Sequence, residues 1–286
     1  VSPWKHKYAL LVRREFWEHR SLLIAPLTAA ALILLVVLFG RARPGHGFII
    51  DVPLPEVLRE LVARHGLAGA AEMTLIGTMV FIGVIAAIAV LLFLLDALYA
   101  ERKDRSILFW KSMPVSDTET VLAKLTVGLV VVPLGTMLLA LAMQPLMGAI
   151  LLLRFEVLRE FMRPELVGGW LSALGAMLGI WLFSVLWYLP MAAYLLLISV
   201  LARRAPMTVA VVPLVLASLF ERWLLGRSDS LVGYRLMPWN YGAKALLGPD
   251  RDYTDAFLNP DLWTGLAAGI VMVYIVIRLR RYRDDT

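Results

Sequence analysis

The chain has 286 residues, 60% of them apolar and 17% charged, with a formal net charge of +6 and a mean hydropathy of +0.76. A soluble domain runs at roughly 45–50% apolar and about 25% charged, so a disordered chain and a water-soluble single-core enzyme are both excluded. With no cysteine, disulfides, thiolate metal centres and Cys nucleophiles are excluded as well. The positive balance is explained by Lys and Arg beside membrane headgroups, so no nucleic-acid partner is expected.

In chain order, residues 1–20 come first. They lack an apolar core and a small-residue cleavage site, so no signal peptide is expected. Ser2-Pro3 reads as an N-cap followed by proline at the first helical position. Trp4, Tyr8, Leu11, Val12 and Phe16 then fall on one side of a helix, with Leu10 and Trp17 off the stripe. Such a segment suits an amphipathic helix in the headgroup region.

A helical span needs about 20 mostly apolar residues. Six stretches qualify: Ser21–Gly40, Glu72–Leu98, Val121–Leu153, Val167–Leu201, Pro206–Leu225 and Leu262–Ile277. The third and fourth are long and contain internal prolines (Pro133, Pro145 and Pro190), which predicts kinks or tilt. No polar turn interrupts Val121–Leu153, so it reads as one helix. The sequence thus predicts an all-α polytopic membrane protein with six transmembrane helices and an N-terminal amphipathic helix.

Charge orients the predicted spans. With both ends on one side, that side carries 16 Lys and Arg in 60 residues, and the other side 12 in 85. The positive-inside rule places both termini in the cytoplasm, with Arg278, Arg280, Arg281 and Arg283 at the inner surface. Small-residue pairs at Gly175–Gly179 and Gly265–Gly269 permit close helix approach, first of all within the chain.

Catalytic motifs are missing. There is no GxxxxGK[ST], no HExxH and no GxSxG, and the four histidines are scattered, so neither catalytic residues nor a metal site is expected. Asp96 lies two residues from the end of the second apolar span, where pairing with a basic neighbour such as Arg102, or reaching out to water, is expected. After it come a charged block, Glu101 to Arg105, with an i,i+4 pair at its ends, and an apolar patch with Phe109 and Trp110. Pro114 stops that helix, and Ser116 with Glu119 forms a capping box at the start of the third span.

Asp96-Ala-Leu-Tyr-Ala-Glu101-Arg102, then Ser106-Ile-Leu-Phe-Trp-Lys-Ser-Met-Pro114-Val-Ser116 and Lys124, resembles the membrane subunit of bacterial ABC type-2 exporters. The motif-level likeness covers about residues 96–124, and the layout likeness covers the whole chain. The resemblance implies a single permease domain. Its parts are an amphipathic elbow (1–20), spans one and two (21–98), a cytoplasmic coupling segment (99–120), spans three to five (121–225), an outer segment (226–261), and span six with a basic tail (262–286). It implies a separately encoded ABC ATPase as partner, holding the ATP and Mg, and a second permease copy, with no cofactor on this chain.

Asp96, Glu101, Arg102, Asp104, Arg105, Phe109 and Trp110 are then expected to couple to the ATPase. In the resembling family spans two and five face the dimer axis, which makes Thr74, Thr78, Phe81 and Ile85, with Thr208, Val212 and Val215, a candidate translocation path. The localisation implied is the bacterial inner membrane. A secondary transporter, or a membrane scaffold or enzyme without an ATPase, is the alternative. The former would call for intramembrane charges or matched broken helices.

Overall fold

The computed structural model describes residues 3–39, 54–104, 115–154, 163–224 and 253–282. Every element among them is helical. In chain order these are α1 (Pro3–Glu18), α2 (Ser21–Phe39), α3 (Leu54–Asp96), α4 (Tyr99–Lys103), α5 (Asp117–Thr126), a π-turn (Val127–Val131), α6 (Val132–Arg154), α7 (Glu165–Leu201), α8 (Pro206–Leu224), α9 (Tyr253–Leu258) and α10 (Pro260–Tyr282).

Among the described residues six helical stretches are long and apolar enough to cross a bilayer: Ser21–Phe39, Glu56–Lys103, Asp117–Arg154, Glu165–Leu201, Pro206–Leu224 and Pro260–Tyr282. They contain the six predicted spans, apart from Gly40 and Leu225, which lie outside the described residues. Large side chains such as Leu32, Ile88, Leu171, Leu216 and Ile270 are more than half exposed, as lipid-facing positions require. The chain is a multi-pass, all-helical membrane protein.

α geometry is interrupted within the second and third spans' helices, each time for a local reason. α3 breaks at Gly66, whose φ of +72° lies in the left-handed region that glycine enters without a Cβ penalty. A separate helical piece, from Leu54, therefore leads into the second span. In the third span the π-turn at Val127–Val131 precedes Pro133. Proline has no N–H to give to the carbonyl four residues back, and its ring crowds that carbonyl, so widening the helix here relieves both problems. The third span is thus continuous from Asp117 to Arg154, as the missing turn signal predicts.

Two compact units can be distinguished. One comprises Leu23–Ala87 and Pro133–Leu178. In it α3 and α7 approach backbone to backbone: a Cβ on Gly169 would lie 2.3 Å from the Ala68 carbonyl oxygen. Ser172 donates to Glu72 at 3.0 Å, Gln144 donates to Thr78 at 3.4 Å, and Arg154 bonds the Val37 carbonyl. These bonds satisfy polar groups where lipid offers no partner.

The other unit comprises Val1–Leu22, Ile88–Val132 and Gly179–Thr286. Phe183, Trp187, Ala256 and Leu262 form a buried cluster, with Phe183 stacked on Trp187 at 5.3 Å and edge-on to Phe257 at 5.9 Å. Gly269 lies against Pro190, where an added Cβ would sit 3.0 Å from the backbone nitrogen. The Gly265–Gly269 pair therefore includes a close approach within the chain, while at Gly175 an added Cβ would meet nothing within 4 Å. α1 and α10 both pack on α5.

Candidate functional site

The packing of α1 and α10 on α5 brings charges from four helices together in the second unit. Glu15 sits on the buried side of α1 with Leu11, and both are under a tenth exposed. Lys124 lies near the end of α5, Glu101 on the one-turn helix α4, and Arg280 in the last turn of α10. Lys124 Nζ donates to Glu15 Oε2 at 2.7 Å and lies 3.0 Å from Glu101 Oε1. Arg280 approaches Glu101 Oε2 to 2.9 Å through its NH1, a charge contact rather than an aligned hydrogen bond, and its Nε donates to Asp117 at 3.0 Å.

Arg14 bonds Glu15 and reaches to 4.0 Å from Glu101. Lys124 and Glu15 are each 1% exposed, Arg280 5% and Glu101 9%. Two buried cations therefore face two buried anions, which is the condition under which desolvated charges are tolerated.

The rim extends this network. Lys7 pairs with Glu119 at 3.0 Å, and the Tyr8 and Thr126 hydroxyls bond at 2.7 Å. Ser116 and Glu119 make the predicted capping box, each side chain bonding the other's backbone N–H.

A reciprocal clip fixes α4. The fully buried Ser199 hydroxyl, near the end of α7, accepts from the backbone N–H groups of Leu98 and Tyr99, both at 2.9 Å. Arg102 in turn donates to the Ser199 and Ala202 carbonyls at 2.7 and 2.9 Å, closing the C-terminus of α7. Beside this region His19 meets Phe93 edge-on at 4.7 Å. Burial, reinforced by the positive charge of Lys124, holds the His19 imidazole below its ordinary value of 6.5.

Of the residues expected to couple, Glu101 is built into the ion network and Arg102 into the helix clip. Asp104 is exposed, and so is Asp96, whose carboxylate meets no hydrogen bond or ion pair among the described residues. The expected Asp96–Arg102 pair does not form, because the guanidinium is directed to the α7 carbonyls. The described part of the coupling segment is helical through Lys103, while Arg105, Phe109 and Trp110 lie outside the described residues, and with them the expected Glu101–Arg105 pair.

The candidate path residues divide. Thr74 and Thr78 turn their hydroxyls onto the carbonyls one turn back, at 2.7 and 2.8 Å, and Thr78 is buried. Phe81 is half exposed and Ile85 partly buried; Thr208, Val212 and Val215 are all exposed on α8. Sequence reasoning missed Glu15 and Ser199 as network members. A carboxylate on the apolar side of α1 was the one available signal for Glu15.

Among the described residues the arrangement offers no cluster of metal ligands. Chemically it provides a rigid, charge-neutral joint between helices. Comparison with protein-family models, curated proteins and solved structures finds no match to this chain. The fold and the joint define a class only: a six-span helical membrane protein with a buried ion-pair network at one end.

Proposed function

We propose that this chain is the transmembrane subunit of an ATP-driven exporter of the ABC type-2 kind, driven by a separate ATPase that holds ATP and Mg. The observation that carries the reading is the anchoring of α4. A permease driven by a separate ATPase receives its energy mechanically, and a lever works only from a rigid base. Glu101, through Lys124 and Arg280, ties the start of the coupling segment to α5, α10 and, by way of Glu15, α1. The Arg102–Ser199 clip ties it to α7. A loop that merely joined two spans would need none of this.

In this reading Glu101 and Arg102 are positioning residues, Asp104 and Arg105 orient the ATPase, and Phe109 and Trp110 supply the buried contact. α1 lies in the headgroup layer, with Leu10, Arg13 and Trp17 on its exposed side. Both termini are cytoplasmic in a bacterial inner membrane, as the Lys and Arg distribution favours. A second copy pairs with the first. α8 supports this, since only 6% of its most apolar stretch is buried within the chain, leaving Thr208, Val212 and Val215 free for a path or a partner.

The test is recovery of the tagged full chain from solubilised membranes after co-expression with ABC ATPases of its own organism. The reading expects a stable complex whose ATP hydrolysis exceeds that of the ATPase alone. Transport by the purified chain driven by an ion gradient, with no ATPase present, would contradict it.

A further inference from the structure

A cleft of about 340 Å³ opens in the second unit, lined by His19, Ser21, Leu92, Asp96, Pro206 and Met207 among others. Its position follows from the chain: Ser21 opens α2, Pro206 opens α8 and Asp96 closes α3, so three span ends meet there. That is the depth of the headgroup layer. Asp96 is exposed and, among the described residues, has no partner. Arg102, the cation nearest to it along the chain, is engaged with the end of α7.

His19 adds no positive charge at neutral pH, because burial and Lys124 hold its imidazole below the ordinary value. Among the described residues of the lining Asp96 is therefore the one formal charge, inside a chain whose net charge is +6. The walls leading away from it are apolar. On α3, Leu92 and Ile88 follow Asp96 at four-residue steps and are 51% and 57% exposed. On α8, Met207 and Val211 are 48% and 42% exposed. Such a cleft does not suit a small hydrophilic cation, which would leave the walls wet, nor a ligand that sets an anionic group directly against the carboxylate.

We propose that this cleft holds the ammonium head of an aminophospholipid of the phosphatidylethanolamine type, with Asp96 as its counter-ion and Leu92 and Met207 against its chains. A primary ammonium brings three donors to a carboxylate that has no hydrogen bond or ion pair among the described residues. The acyl chains cover side chains that lipid would in any case contact. The proposal is independent of the ATPase reading, because it concerns this chain alone.

The experiment uses the purified full chain in detergent. It is exchanged into micelles containing equal amounts of dioleoyl phosphatidylethanolamine and dioleoyl phosphatidylglycerol, and retained lipid is counted by native mass spectrometry. Wild type is expected to retain phosphatidylethanolamine in preference. Asp96→Asn removes the charge but not the shape and should lower that retention roughly tenfold, the loss of one charge-assisted bond. Leu92→Trp keeps the charge but fills the cleft, and should lower it as well. Glu165→Gln, an exposed carboxylate elsewhere, serves as the control and should behave as wild type. Both test positions are exposed, so helical circular dichroism is expected to be unchanged. Equal retention of the two lipids by wild type, or wild-type retention by Asp96→Asn or by Leu92→Trp, would overturn the proposal.

Discussion

Lys124 is the residue on which most of the ion network depends. It is 1% exposed and lies between Glu15 and Glu101, so its removal leaves two buried carboxylates with Arg280 and Arg14. Breaking a buried pair in this way costs about 3–5 kcal/mol. Lys124→Met should therefore lower the unfolding midpoint sharply in micelles, and adding Glu15→Gln should recover much of the loss by restoring charge balance. A double variant as unstable as the single one would count against the network.

His19 gives a pH test at the same scale. Its folded pKa lies below the unfolded value, so the unfolded chain takes up the proton first as pH falls, and stability declines below about 6.5. His19→Gln should flatten that part of a stability-against-pH curve, while a profile identical to wild type would remove histidine as the cause. None of this pairing was legible in the sequence. The partners Lys124 and Glu15 are 109 residues apart, and Arg280 and Asp117 are 163 apart. Only tertiary packing brings them into range.

Elements were legible where the signal is local. The six spans follow from apolar length, and the capping box at Ser116 and Glu119 follows from a four-residue pattern that the structure reproduces in both bonds. The break at Gly66 was not legible, because Gly66 and Gly69 both lie in the short stretch before the second span and nothing local marks which of them takes a positive φ. The part played by Ser199 near the end of α7 was missed for a similar reason: it looks like any small polar residue in a span until α4 lies against it.

Close approach at the element scale is testable in the first unit. Gly169→Val places a branched side chain where even a Cβ meets the Ala68 backbone, so α3 and α7 must separate, at about 1–3 kcal/mol or more. Gly175→Ala, where an added Cβ meets nothing within 4 Å, should be tolerated. Unfolding midpoints of the two variants in the same micelle check this, and equal midpoints would show that the approach is not held in solution.

For the whole molecule, a membrane class was readable from composition alone, whereas the rigidity of one end was not. Asp96 and Glu101 illustrate the difference. Both sit near the end of the second span and both read as candidates for the same task. The structure exposes one at a cleft and buries the other in ion pairs. Charge and spacing identify such residues but cannot divide their roles, which depend on what α1, α7 and α10 bring alongside.

In the proposed function, force from an ATPase enters through the segment after α3 and is held there by the network around Glu101. The most direct measurement is transport-linked ATP hydrolysis of the co-expressed complex carrying Trp110→Ala or Glu101→Ala, with complex recovery scored alongside. Truncating an aromatic anchor in a desolvated pocket costs about 2 kcal/mol or more, so Trp110→Ala should reduce recovery of the complex. Glu101→Ala should leave some complex but uncouple hydrolysis from transport, with nucleotide affinity of the isolated ATPase unchanged in both cases. Wild-type recovery and wild-type coupling in both variants would contradict the account.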